Sequence, residues 1–197
     1  MFAYLATFFT FGALVLEVFN LLASTYNQPF LKDLYFVQYT AGDAFVRLGL
    51  WGYCQGTIKS GVVFCSSPSA AFVWSSVPGI KSYTSSLSGL DSVYLANYVL
   101  TWIAFGITVG ALVVTMLAHF GRPADFLASI ATFLGFLVML ATFIILLVLC
   151  LRGINTTAEG AYGRLGDCIW MHLGAMIALL FGSLWYCFTC IFGGPRK

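Results

Sequence analysis

Thiols, one acid and two histidines are the residues whose types and spacing could do chemistry in this chain of 197 residues. Cys54 and Cys65 lie in the stretch FVRLGLWGYCQGTIKSGVVFC, residues 45–65. Alternation there predicts a strand from Phe45 to Cys54, with Val46, Leu48 and Leu50 on one face and Phe45, Arg47, Trp51 and Tyr53 on the other. Gln55, Gly56, Thr57, Lys59, Ser60 and Gly61 then read as a turn, and Val62 to Cys65 as a returning strand. Such a hairpin would bring Cys65 beside Cys54. In an oxidising compartment the two could join, and the alternative is two unrelated thiols.

Glu17 is the one acid inside a long apolar segment. A charge at the centre of a membrane helix costs about 2.5–3.5 kcal/mol on insertion scales, so it should face protein or water. Depth along the helices places His172 about one helical turn from it, and the two could form an intramembrane polar pair. The alternatives are a protonated Glu17, or one bonded to a Ser, Thr or backbone group. Cys187 and Cys190, near the inner end of the last segment, suit reversible S-palmitoylation; they could equally be buried thiols. Cys150 and Cys168, at the outer ends of two segments, could form a second disulfide or stay free. His119 and His172 are the only histidines. No nucleophile motif, phosphate loop or metal-ligand cluster accompanies them. The expectation is therefore no enzyme, no metal and no cofactor.

The elements that must position these groups follow from composition. The chain is 60% hydrophobic and 8% charged, against about 25% charged residues in soluble domains. That balance predicts a polytopic membrane protein in a lipid bilayer, and the net charge of +2 gives no reason to expect nucleic acid. Apolar length places spans at about residues 2–24, 94–118, 126–151 and 168–192. All five prolines, Pro29, Pro68, Pro78, Pro123 and Pro195, fall outside them. The expected fold is a four-transmembrane-helix bundle, read as one domain over 1–197, mainly α. Its first loop, about 26–92, carries a small antiparallel β-sheet with a first strand at Leu31–Tyr39. Residues 66–92 read as irregular. A very short turn, His119 to Asp125, joins spans two and three, and a second polar loop covers about 152–167.

Small residues recur at helical spacing. Gly106 and Gly110 form GxxxG in span two, and Gly174, Ala178 and Gly182 repeat every fourth residue in span four. These stripes suit close helix packing, within the bundle in preference to between copies. Four spans put both termini on one side. Arg122, Arg196 and Lys197 mark that side only weakly, because Arg152 and Arg164 lie in the second loop. A disulfide would place both loops outside the cell. Asn155-Thr156-Thr157 is a glycosylation sequon on that same side.

Gly49-Leu50-Trp51 followed by Cys54 and Cys65, in the first loop of a four-span chain, resembles the signature of the claudin-like superfamily. LKDLYFVQ before the hairpin, GLWGYCQG within it and CSSPSAAFVW after it are similar to the fungal eisosome-associated and PalI-type pH-response proteins. The resemblance implies a plasma-membrane organiser or accessory subunit with both termini cytoplasmic. It implies partners among larger integral membrane proteins, such as a cell-wall synthase or a pH-signalling complex, or further copies of the chain. The expected function is a non-enzymatic scaffold presenting its extracellular sheet, with Trp51 anchoring that sheet at the bilayer or on the helix ends. The competing expectation is a small transporter or pore that uses Glu17. Few polar residues in the spans, and no proline-broken helix, speak against it.

Overall fold

The structure is a computed structural model that describes residues 2–24, 28–118 and 122–192. The first residues of the expected short turn, 119–121 with His119, and the tail with Arg196 and Lys197 lie outside the described residues, and the rest of that turn, Arg122 to Asp125, is helical. The elements in order are α1 (Phe2–Leu21), β1 (Val37–Ala41), β2 (Ala44–Leu48), β3 (Tyr53–Thr57), β4 (Gly61–Cys65), α2 (Asp91–Ala118), α3 (Arg122–Asn155), β5 (Ala161–Leu165) and α4 (Asp167–Phe192). The four α-helices contain segments long and apolar enough to cross a membrane: Tyr4–Leu21, Asp91–Met116, Phe126–Asn155 and Asp167–Ile191. The last three of these run on into residues expected as loop. Asp91 and Asp167 occupy the first turns of α2 and α4, where a carboxylate complements the helix dipole and the exposed amides.

The chain divides into two compact units. The first comprises Met1–Val18, Leu100–Thr142 and His172–Lys197. Its core is built around small residues: Ala13, Ala104 and Ala175 pack with Met139 and Leu179, and Ala6 and Ala128 pack with Tyr186. Lipid tails are as apolar as these side chains, so close van der Waals packing has to hold the helices together. Threonines turned inward return their hydroxyls to their own helix, as Thr10 does to Ala6 O at 3.0 Å and Thr132 to Ala128 O at 2.8 Å. No hydroxyl of that kind is left bare in an apolar medium.

The second unit, Phe19–Val99 and Phe143–Met171, carries one antiparallel sheet of order β4-β3-β2-β1-β5. Gly42-Asp43 closes the β1–β2 hairpin, with Ala41 opposite Ala44. A three-residue connection closes β3–β4 onto Gly61, whose φ of +71° is the left-handed conformation such loops require. Four features depart from the sequence reading. Gln55–Thr57, expected as turn, continue strand β3, so residues 58–60 alone make the connection to β4. Phe45–Cys54 is not one strand: Leu48 pairs with Tyr53, and Gly49–Gly52 is the turn of a hairpin, closed by Gly49 N–H to Gly52 O at 2.9 Å. Leu31–Asp33 is a 3-10 turn, not strand; Arg47 Nη1 holds it by donating to Lys32 O at 3.0 Å and to Asp33 Oδ1 at 2.7 Å. Finally, the second loop contributes β5, which pairs with β1 from Val37↔Leu165 to Ala41↔Ala161.

Within this unit, Tyr39 of β1 packs against α3 and β5. It is fully buried. A Cβ added to Gly153 of α3 would fall 1.9 Å from its hydroxyl oxygen, and one added to Gly163 of β5 would fall 3.1 Å from its ring. Its hydroxyl makes no hydrogen bond, and burial pushes the phenol's pKa well up, so it stays neutral. Shape decides this site. Gly153→Ala should destabilise the detergent-solubilised protein by about 1–3 kcal/mol, the usual range for overpacking. Tyr39→Phe should be neutral or stabilising, because it removes an unbonded buried hydroxyl. Combined with Gly153→Ala it should recover part of the loss, since the ring carbon that bears the hydroxyl still lies 2.9 Å from the new methyl. Thermal denaturation of the three variants checks this, and equal loss in the single and double variants would contradict it.

Candidate functional site

The Gly49–Gly52 turn joins the sheet to the end of α1. A Cβ on Gly49 would lie 2.5 Å from Ser24 Cβ and 2.6 Å from Ala23 O. Only glycine lets the two backbones come this close. Trp51 places its indole N–H on Leu21 O, in the last turn of α1, where helix carbonyls lack intrahelical partners. Its ring meets Tyr98 of α2 edge-on, with centroids 5.3 Å apart. Leu50 is buried. Trp74, from the irregular segment, donates to Gly49 O at 3.0 Å and lies against Tyr94, with ring centroids 5.5 Å apart. Leu50, Trp74, Tyr94 and Tyr98 help line a cavity of about 10 Å³. Each residue of the Gly-Leu-Trp turn therefore has a mechanical task.

Cys54 and Cys65 are directly opposite in the β3–β4 ladder and are joined by a disulfide. The strand beyond it, β4, is a sheet edge. Val63 and Phe64 on it are 64% and 52% exposed, and Ile58 in the preceding turn is also exposed. Phe45, Gln55, Val63, Phe64, Pro78 and Tyr83 are among the residues that line an open groove of about 490 Å³ on this unit.

Glu17 and His172 are both buried in the helical unit, and the structure gives them different threonines as partners. Thr108 Oγ1 of α2 lies 2.8 Å from Glu17 Oε1, and Thr142 Oγ1 of α3 lies 2.7 Å from His172 Nε2. Thr108 Oγ1 is also 3.1 Å from Ala104 O. A threonine hydroxyl has one hydrogen, and a backbone carbonyl has none to give. Both contacts are satisfied together when Thr108 donates to Ala104 O and accepts from a carboxylic acid at Glu17.

The small-residue stripes divide. In α4, Gly174 faces Leu16 and Gly182 faces Thr10, with added Cβ atoms 3.3 Å and 3.2 Å away, and Ala178 packs on the core. In α2, Gly106 and Gly110 are exposed and do not pack on another helix among the described residues: a Cβ on either would meet nothing within 4 Å. The reading of that pair as bundle packing is corrected. The inward face of α2 is set by Ala104, Thr108 and Ala111, the face on which Thr108 reaches Glu17.

Cys150 and Cys168 are separate buried thiols, without the second disulfide, while Cys187 and Cys190 are exposed on α4. Asn155 ends α3 and is exposed. Thr157 of its sequon forms a bridge to Thr84. Among the described residues, no group of three or more His, Cys, Asp and Glu could hold a metal ion. Sequence reasoning missed Gln38, Arg164 and the partnership of Arg47 with both. These three sit in one row across β2, β1 and β5. Gln38 Oε1 accepts from Arg47 Nε at 3.0 Å and from Arg164 Nη2 at 2.9 Å. Only the β1–β5 pairing brings the second arginine there, so nothing local in the sequence announced it.

A model of the SUR7/PalI family matches residues 2–184. A SUR7 family protein pun1 from Schizosaccharomyces pombe is 27% identical over 122 residues, which cover 49% of this chain and 42% of that relative. The chain thus aligns with less than half of the relative's length.

The turn makes a direct prediction. Gly49→Ala should destabilise by about 1–3 kcal/mol through the clash with Ala23 and Ser24. Trp51→Phe should lose about 0.5–1.5 kcal/mol, the net worth of one hydrogen bond, while keeping an aromatic ring against Tyr98. Cys54 and Cys65 should resist maleimide in the unreduced wild-type protein. Thermal unfolding, with labelling before and after reduction, measures all three. A Gly49→Ala protein as stable as wild type would contradict the docking of the turn.

Proposed function

The chain belongs to the SUR7/PalI family, and from that premise we propose that it is a non-enzymatic scaffold or accessory subunit of the plasma membrane. It binds a larger integral membrane protein, further copies of itself, or both. In this reading both termini are cytoplasmic and the sheet is extracellular. The observation that carries the proposal is the sheet itself. It is stapled by Cys54–Cys65, seated on the end of α1 by Gly49 and Trp51, and completed by β5 from the other loop. It holds an open groove and an apolar edge strand on that rigid support. Unpaired strand edges and exposed apolar patches are where other chains bind.

A second reading, a small transporter or pore, draws on the buried carboxyl of Glu17, because intramembrane acids mark ion and proton paths. One pair of measurements separates the two. Glu17→Gln supplies the same donor to Thr108 through its amide, so the scaffold reading expects unchanged thermal stability and unchanged recovery of partners by native pull-down. Polar contacts between membrane helices average only about 0.6 kcal/mol, so even an imperfect replacement loses little. The scaffold reading also expects no proton or cation flux in liposomes from wild type or variant. Flux in the wild type that disappears in a stably folded Glu17→Gln would overturn it. Recovery of one stoichiometric large partner supports the accessory role, whereas homo-oligomers alone support self-assembly.

A further inference from the structure

The row that crosses β2, β1 and β5 contains a concentration of positive charge that the scaffold reading does not use. Gln38 Oε1 is one neutral oxygen bonded by two guanidinium groups, those of Arg47 and Arg164. Both lie over the ring of Tyr35, at 4.8 Å and 6.0 Å from its centroid. Arg47 has Asp33 as a counter-ion, with side chains 15% and 59% exposed. Arg164 is exposed, and among the described residues it donates to Gln38 and forms no ion pair with a carboxylate. Two arginines beside one another, with a single acid between them, leave a positive charge unanswered.

The chain fixes where this charge sits. Arg164 is three residues before Asp167, where the span of α4 begins, a reach of at most about 11 Å. Tyr35 O accepts from Cys168 N–H in the first turn of α4 at 3.3 Å. Gly166 permits this contact, since a Cβ there would fall 2.1 Å from Tyr35 O. Trp170, also in that first turn, is 61% exposed, and exposed tryptophans at span ends lie at headgroup level. Asp167 is the acid nearest to Arg164 in sequence, and it sits in the first turn of α4, where the helix dipole favours it; Asp43 and Glu159 lie four and five residues before Arg47 and Arg164.

We propose that Arg47 and Arg164, held on Gln38 and over Tyr35, form a binding site for a phosphate group at the membrane surface. Guanidinium forks match phosphate oxygens in pairs, and an arginine keeps its charge at every physiological pH. Gln38 holds the two guanidinium groups side by side without neutralising either; Arg47 already donates Nε to Gln38 and Nη1 to Lys32 O and Asp33, so Arg164 supplies the fork and Arg47 adds charge and its Nη2. The phosphate belongs to a phospholipid headgroup or to a free anion, and the chemistry of recognition is the same.

The test uses the full chain in nanodiscs of phosphatidylcholine, with and without a minor fraction of phosphatidylglycerol. Native mass spectrometry counts the retained lipid. In detergent, thermal shift with inorganic phosphate against chloride at matched ionic strength reports the free anion. Wild type should retain phosphatidylglycerol preferentially, and Arg164→Gln should lose about fivefold of that preference, the worth of one basic residue at a lipid surface. Asp33→Asn, an exposed change that removes the competing carboxylate, should raise it. A phosphate-induced stabilisation without lipid preference, abolished in Arg164→Gln, assigns the site to a free anion. Unchanged lipid retention and unchanged phosphate response in Arg164→Gln overturn the proposal. Should Arg164→Gln fail to fold, judged by maleimide reactivity of Cys54 and Cys65, Asp33→Asn decides: no gain in either assay overturns it.

Discussion

The sheet can rest on the end of α1 only because Gly49 has no side chain. The space into which a Cβ would project is already filled by Ser24 and by the carbonyl of Ala23. Once the backbones meet there, Trp51 reaches Leu21 O and Trp74 reaches Gly49 O. A helix end with open carbonyls is expensive to bury. The turn supplies an indole donor to one of them and an aromatic wall, Tyr94 and Tyr98, around itself. The order of the motif follows: a residue that permits contact, a residue that fills the interior, a residue that bonds the helix.

A second constraint joins the two loops. β1 is the inner strand that pairs with both loops, with β2 on one side and β5 on the other. Its Tyr39 needs glycine at both Gly153 and Gly163. The second loop therefore completes the sheet, adding β5 at the edge that the first loop leaves open. In the chain, β5 lies between α3 and α4.

Much of this was legible in the sequence. Four apolar segments of sufficient length, with proline excluded from each, fixed the helices to within a few residues. Two cysteines eleven apart across a polar turn marked the hairpin that the disulfide closes. The Gly-Leu-Trp motif was visible, but its conformation was misjudged. Alternation of Val46, Leu48 and Leu50 continues smoothly through a turn whose two glycines, Gly49 and Gly52, were the available signal. β5 was missed for a different reason. Ala161–Leu165 has no apolar alternation of its own, and its partner strand is more than a hundred residues away. Pattern reading sees only neighbours in the chain, and both β5 and the Arg47–Gln38–Arg164 row depend on contacts it does not carry.

The buried polar groups of the spans show the same limit from inside the membrane. Depth arithmetic could set Glu17 and His172 at similar levels, but it could not choose their partners. Each is answered by a threonine on another helix: α1 to α2 through Thr108, and α4 to α3 through Thr142. Each threonine also contacts a carbonyl of its own helix, Ala104 O at 3.1 Å and Met139 O at 2.9 Å. With one hydrogen apiece, both hydroxyls fit the same arrangement, donating to the carbonyl and accepting from the partner side chain. Through these two contacts Thr108 ties α2 to α1 and Thr142 ties α3 to α4, so each intramembrane polar group that the sequence singled out serves as a cross-link between two helices, in a medium where an unanswered polar atom is costly.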